Sequence, residues 1–281
     1  MRATSLDWGR HYLMCPPDHF TVEYAINPWM TTEVAVDSAA AHEQWSGIVA
    51  AIESAGGRVS TIAPDPDLPD MVFTANAGLV SDGVFAPARM RFPERGREPE
   101  LAAAWAAAAG MDIQSIQAGT FEGMGDALPF GDVFVAGHGQ RSDLAAWRAL
   151  SPLLGIDFVT VELPDPRFYH VDLVFSPLDR RTALVAPAGL TKRGLQTIRR
   201  LVPDPIMLTD DEATSFTANS IVVNNTVISP AASPRVQAEL HRRGFDSVIA
   251  PVPEFLKAGG AVRCLTLPLD ALPAADLAQS A

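Results

Sequence analysis

The tetrapeptide Phe73-Thr74-Ala75-Asn76 returns as Phe216-Thr217-Ala218-Asn219, and its surroundings return with it. A repeat constrains architecture strongly, because a unit that buries its apolar face only against its neighbours builds an array. Residues 71–88 read as an apolar strand, a turn at Ser81-Asp82-Gly83 and a second strand. Residues 215–231 repeat this around Asn224-Asn225. Asp-Gly and Asn-Asn supply the positive-φ residues that tight hairpins need. A helix follows each hairpin. One, over 97–109, stops at Gly110. The other, over 233–243, opens with the N-cap and N1 pair Ser233-Pro234 and stops at Gly244. A short strand then closes each unit, over 111–116 and 245–252.

The same strand–strand–helix–strand order recurs. A hairpin over 127–138 turns at Phe130-Gly131-Asp132, with a helix over 142–154, a stop at Gly155 and a strand over 156–163. Another hairpin over 170–187 turns near Asp179-Arg180, with a helix over 191–201 and a strand over 205–208. Near the start, a helix over 37–55 ends at Gly56-Gly57 and precedes a strand over 58–62. Its hairpin would join 10–15 to 261–267. An ordinary doubly wound domain would alternate single parallel strands with helices. Here hairpins alternate with helices. The pattern predicts one α/β domain over 1–281, a closed ring of five ββαβ units with the first completed by both ends, by analogy with propellers.

Alignment of the units on the first hairpin strand puts Asn76, Glu122, His170, Asn219 and Cys264 in one register. In such a ring, equivalent positions face one axis. A thiol, an imidazole, a carboxylate and two amides would therefore converge, each otherwise a costly polar group beside apolar strand residues. Cys264 is a candidate nucleophile, reactive as its thiolate. His170 is a candidate general acid/base, and Glu122 could hold its imidazole or bind a cation. Taken singly, a buried Cys or His is most simply inert core; the shared register argues for a site. Arg89 and Arg141 each follow a second hairpin strand and could grip a carboxylate at the channel mouth. The bland alternative is two rim arginines in surface ion pairs.

Other classes fit poorly. The 21 basic and 33 acidic residues leave a net charge of −12 with no basic stripe. That argues against nucleic acid and anionic membranes and favours a cationic small molecule. The longest apolar run, over 101–111, is too short to span a bilayer, and residues 1–10 lack the apolar stretch of a secretion signal. Cys15 and Cys264 cannot form a disulfide framework. A cytoplasmic location is expected. The histidines His11, His19, His42, His138 and His241 form no zinc spacing with two cysteines. Gly123-Met124-Gly125 and Gly259-Gly260 lack the context of a nucleotide loop. Cys15 is the weaker nucleophile candidate, since no His shares its register. Homo-oligomer formation stays open.

Several motifs together resemble a known group: Met14-Cys15-Pro16-Pro17, Ile26-Asn27-Pro28-Trp29-Met30, Leu68-Pro69-Asp70-Met71-Val72-Phe73-Thr74-Ala75-Asn76, Phe121-Glu122-Gly123-Met124-Gly125-Asp126, Phe168-Tyr169-His170-Val171-Asp172 and Gly259-Gly260-Ala261-Val262-Arg263-Cys264. They look like the guanidino-group-modifying enzymes, the pentein or amidinotransferase superfamily. It includes arginine deiminase, dimethylarginine dimethylaminohydrolase (dimethylargininase), arginine dihydrolase and glycine amidinotransferase. The resemblance implies the five-bladed pentein fold and cofactor-free, metal-free hydrolysis of a guanidinium C–N bond of arginine or a close relative. It implies a Cys264 nucleophile, a His170 acid/base with Glu122 beside it, and Asp172 on the guanidinium. Arg89 and Arg141 would then hold the α-carboxylate, Asn27 would lie near the amino-acid end, and Asn76 and Asn219 are further substrate-binding candidates. Deiminases and typical dimethylargininases carry an acid where this chain has Asn76. The amide is similar to the arginine dihydrolase subgroup, which takes arginine past citrulline to ornithine. Gln140 and Ala258 are smaller departures that bear on substrate preference. The alternatives are a dimethylargininase, an amidinotransferase and, more remotely, a non-enzymatic ring protein of the same fold.

Overall fold

The computed structural model describes residues 6–271. The reading of residues 1–10 as free of a secretion signal, and the ends of the 1–281 domain, lie partly outside them. The chain runs β1 (His11–Met14), α1 (Ser38–Ser54), β2 (Arg58–Thr61), β3 (Gly78–Ser81), β4 (Val84–Pro87), α2 (Glu98–Ala108) and β5 (Asp112–Ile113). It continues through β6 (Ala127–Phe130), β7 (Val133–His138), α3 (Leu144–Leu154), β8 (Asp157–Glu162), β9 (Phe175–Pro177), β10 (Thr182–Val185), α4 (Lys192–Leu201) and β11 (Asp204–Met207). It closes with α5 (Asp210–Thr214), β12 (Ile221–Val223), β13 (Thr226–Ser229), α6 (Pro234–Arg242), β14 (Asp246–Ile249), α7 (Pro253–Leu256) and β15 (Leu267–Pro268).

These strands form five three-stranded sheets: β15-β1-β2, β3-β4-β5, β6-β7-β8, β9-β10-β11 and β12-β13-β14. In each, the first pair is antiparallel and the second parallel. That is the expected ββαβ unit, repeated. The first sheet joins the two ends of the chain, with Tyr12 opposite Pro268. The ring closes between the first and last sheets, where the Tyr12 hydroxyl faces the Val222 carbonyl at 3.3 Å and the Asn224 amide donates to Ala55 O at 2.7 Å.

Local chemistry sets the boundaries. Asp37 caps α1 by accepting from Ala40 N, Thr191 caps α4, and Ser233 caps α6 with Pro234 at N1. The hairpin between β3 and β4 turns on Asp82 at φ 46°, and that between β12 and β13 on Asn224 at φ 55°. The helices pack their apolar residues on the sheets. Trp147 and Leu150 of α3, Ile48 and Ile52 of α1 and Ile198 of α4 are all at most 2% exposed. Each such side chain stabilises the fold by roughly 1.5–3 kcal/mol through burial.

One expectation is corrected. The apolar stretches ahead of β3 and β9 do not extend the hairpin strands, and the segment before the 127–138 hairpin is likewise not a strand. They are single 3₁₀ turns, Pro69–Val72 and Thr74–Asn76, Gly123–Gly125 and Val171–Leu173. Their backbone donors bond locally, Asn76 N to Phe73 O and Leu173 N to His170 O. Likewise the hairpin partner of β1 is only Leu267–Pro268; the preceding 262–265 form turns. A strand at the hub would send alternate side chains away from the axis. A one-turn helix swings several toward it.

Candidate active site

Four of the register positions lie within or at the edge of these hub turns, and Asn219 lies in the bend that follows the turn at 215–218. Asn76, Glu122, His170, Asn219 and Cys264 are each at most 2% exposed. Two glycines make the crowding feasible. A Cβ on Gly125 would lie 2.2 Å from Asn76 Nδ2, and one on Gly123, at φ +57°, would lie 2.5 Å from Gly78 O. Only glycine fits there, which gives the Glu-Gly-x-Gly-Asp motif a steric reason.

On one side, Glu122 Oε2 accepts from Arg141 Nη1 at 2.8 Å and meets His170 Nε2 at 2.7 Å, while Oε1 accepts from Arg91 N at 3.2 Å. Burial opposes the charge, but the Arg141 guanidinium and the His170 bond hold the carboxyl well below its usual range. An ionised Glu122 can only accept, so His170 Nε2 donates to it and Nδ1 is the nitrogen left facing the rest of the site. Asn76 Nδ2 sits 3.4 Å from that Nδ1. Asp126 braces the arrangement from behind, accepting from Ser142 Oγ at 2.6 Å and Val171 N at 2.9 Å.

On the other side, Cys264 Sγ accepts from Asn219 Nδ2 at 3.2 Å and lies 3.5 Å from Asp172 Oδ2. Asn219 Oδ1 accepts from Arg263 N at 2.9 Å and Cys264 N at 3.3 Å. Burial and the adjacent Asp172 hold the thiol well above its usual range, against the Asn219 bond. Burial also pushes the Asp172 carboxyl up to about 6, against the attraction of His170 and Arg263. Without a cationic ligand the sulfur is therefore a thiol sharing its proton with Asp172. His170 and Asp172 approach the same centre across the 3₁₀ turn Val171–Leu173.

The remaining sequence candidates are engaged differently from one another. Arg141 is 3% exposed, sandwiched between the rings of Phe92 and Tyr169, with Nη2 donating to Ile26 O at 2.9 Å. Arg89 is exposed, and its Nε donates to Gly119 O at 2.8 Å. The two do not form the matched pair their register suggested. Asn27 Nδ2 donates to Ala258 O at 3.0 Å while its Oδ1 accepts from Trp29 N at 2.9 Å. It thereby ties the irregular segment 15–36 to the glycine pair before Cys264. Asn219, a substrate-binding candidate in the sequence, bonds the sulfur and backbone of Cys264.

Arg95 escaped the sequence reading. It is 4% exposed, donates from Nη1 to Asn76 Oδ1 at 2.9 Å and pairs bidentately with Glu98 at 2.7 and 2.9 Å. Burial pushes Glu98 up to about 7 against the pull of Arg95. Arg95 fixes the orientation of the Asn76 amide, so Nδ2 is the atom facing His170. Arg95 lies outside the repeat register, and no local pattern marks it.

Five ββαβ units around a buried thiol, imidazole and carboxylates are the architecture of the enzymes that hydrolyse guanidino C–N bonds. Among these the chain belongs to the dimethylarginine dimethylaminohydrolase family: the family described as N,N dimethylarginine dimethylhydrolase, eukaryotic, matches residues 17–271. The N(G),N(G)-dimethylarginine dimethylaminohydrolase of Mycobacterium tuberculosis is 37% identical over 258 residues, 92% of this chain and 85% of that protein. The bifunctional arginine dihydrolase/ornithine cyclodeaminase ArgZ of Synechocystis is 37% identical over 261 residues, 91% of this chain but 37% of that longer protein. The N-terminal domain of ArgZ, an arginine dihydrolase of cyanobacteria, has been solved bound to substrate and covalently bound to a reaction intermediate. Each structure superposes with a TM-score of 0.88 at 35% identity, covering 93% of this chain and 98% of that one. Among the described residues no helix is long and apolar enough to cross a membrane.

Proposed function

We propose that this enzyme hydrolyses L-arginine as an arginine dihydrolase, releasing ammonia and ornithine by way of citrulline, with dimethylargininase activity as the second reading. The observation that carries the first reading is the Asn76 amide, locked by Arg95 with its N–H beside His170. Arginine presents only N–H groups to this position, whereas citrulline presents a ureido oxygen. Asn76 can donate to that oxygen; an ionised Asp could not. The similarity to the mycobacterial dimethylarginine dimethylaminohydrolase supports the second reading.

The chemistry follows from the two sides of the site. The guanidinium docks against Asp172, and its charge favours transfer of the Cys264 proton to His170 Nδ1. Sγ adds to the guanidinium carbon. His170, its Nε2–H held by Glu122, supplies a proton from Nδ1 to the departing nitrogen. Ammonia leaves, and an S-alkylthiouronium remains on Cys264. His170 Nδ1 then removes a proton from water, the hydroxide adds to the same carbon, and collapse of the tetrahedral adduct expels the thiolate and citrulline. A second round on the ureido carbon releases a second ammonia. The resulting carbamate loses carbon dioxide to give ornithine. Arg141 and Arg89 remain the candidates for the α-carboxylate; Arg141 would have to exchange its bond to Ile26 O for it. Cys264 is 2% exposed, so substrate entry requires groups around it to move. We place the reaction in the cytoplasm and in one domain.

Product analysis with arginine, citrulline and methylated arginines tests this. Ornithine and ammonia are expected from arginine. Arrest at citrulline overturns the dihydrolase reading, and preferential release of methylamines from methylated arginine establishes the second.

A further inference from the structure

Arg263, directly before Cys264, is a buried cation without a countercharge bonded to it among the described residues. It is 2% exposed, and its Nε and Nη2 have no hydrogen-bond partner among the described residues. Its guanidinium lies 5.4 Å from the centre of the Trp8 ring, a contact that compensates only weakly for lost solvation. The charged and titratable groups in its field are Tyr12 from β1, Asp172 from the 171–173 turn and Cys264 itself. Tyr12 is buried and stays neutral, because burial pushes its phenol up strongly. Asp172 has a matching deficit: Oδ1 is buried and unpartnered while Oδ2 faces the thiol at 3.5 Å. His170 adds positive potential at Asp172, and Tyr169 also faces the sulfur.

A fold does not gain from an unpaired buried guanidinium; replacing such a charge with an apolar group is commonly neutral or stabilising. The reaction gains. Once Cys264 loses its proton, a thiolate and a carboxylate stand side by side in a dry site, and the guanidinium of the substrate is consumed as the adduct forms. Arg95 and Arg141 are already committed to Glu98 and Glu122. We propose that Arg263 is a positioning residue that acts through Cys264: its uncompensated positive charge holds the Cys264 thiolate beside ionised Asp172, at a cost to fold stability. This rests on Cys264 being the nucleophile.

The test compares the parent with Arg263→Met, Arg263→Gln and Arg263→Lys. Alkylation of Cys264 by iodoacetamide is followed across pH with the labelled peptide identified by mass, alongside steady-state kinetics and thermal unfolding. In the Met and Gln variants the alkylation midpoint should rise by about one pH unit or more and kcat should fall about tenfold or more. KM should stay within about threefold, and Tm should be unchanged or higher. Arg263→Lys should retain most of the parental midpoint and kcat. An unchanged midpoint in both neutral variants overturns the proposal. So does a loss of folding or a lowered Tm in them, the mark of a structural arginine. Labelling of Cys15 instead of Cys264 in the parent would overturn the nucleophile assignment itself, a distinct failure from unchanged behaviour of the Arg263 variants.

Discussion

The two sides of the site are built on opposite electrostatic terms. Around Glu122 every charge is matched: both carboxylate oxygens are hydrogen-bonded, to Arg91 N, Arg141 and His170. Around Cys264 the charges are left short: Asp172 Oδ1 and two nitrogens of Arg263 are buried without partners among the described residues. A matched network fixes geometry, as a group that moves protons in a set direction requires. An unmatched one stores free energy that a cationic ligand and a forming thiolate can release. The same kind of substitution should thus affect the two sides differently, costing stability on the first and activity on the second.

The largest expected effect is at the sulfur. Cys264→Ser should lower turnover by about a thousandfold or more with unfolding unchanged, because the hydroxyl is a far weaker nucleophile. A chloroacetamidine reagent should add mass to Cys264 and spare Cys15, because Cys264 stands beside Asp172, which can dock the cationic amidine. Retained activity in the serine variant would remove Cys264 from the chemistry.

Glu122→Gln probes the matched side. It leaves Arg141 buried without its anion, so it should destabilise by about 3–5 kcal/mol in denaturant titration. It should also cut kcat by about a hundredfold or more by freeing the His170 ring. Asp172→Asn is the contrasting substitution on the unmatched side. Turnover of arginine should fall about tenfold or more, while the denaturation midpoint holds or rises. Equal stability losses in the two variants would erase the contrast.

The pH dependence sharpens it further. Asp172 must be ionised to hold a guanidinium, so kcat/KM for arginine should have an acid limb near pH 6. For stability the sign is opposite to that of a paired carboxylate. Its folded value of about 6 lies above the ordinary 3.8, so the native state keeps the proton longer. Its ionisation destabilises the fold progressively as pH rises from about 3.8 to about 6, and the effect is constant above that. Glu122, held below its ordinary 4.5, contributes stability that is present above that value and lost as pH falls below it. Thermal unfolding against pH should therefore change shape in Asp172→Asn, in the window from about 3.8 to about 6. An unaltered profile would show that Asp172 ionises freely.

Asn76, on the matched side, carries the smallest expected effect. Asn76→Asp should shift the product from ornithine toward citrulline, since an unsatisfied ureido oxygen costs about 1–3 kcal/mol. Chromatography of the amino-acid products reads this directly. Continued full conversion to ornithine in the variant would show that Asn76 does not set how far the reaction runs.

The repeat itself was legible because its signals are local. Asp82-Gly83, Asn224, Ser233-Pro234 and Gly155 act through a few bonds of their own backbone, so the hairpins, caps and stops, and with them five units and a common register, were open to reading. The sequence by itself also brought out Cys264, His170, Glu122 and Asp172, through motifs that span the ring. What surrounds them was decided by the tertiary structure. Apolar runs such as Met71–Val72–Phe73 suit a strand or a 3₁₀ turn equally, and crowding at the hub selects the turn. Arg89 and Arg141 are alike in register, yet only Arg141 lies between two rings and against Glu122. Arg95 reaches Asn76 from 19 residues away in the chain, and among the described residues no acid bonds Arg263. Pairing of a buried charge depends on atoms brought from several units at once, and no one-dimensional pattern encodes that sum.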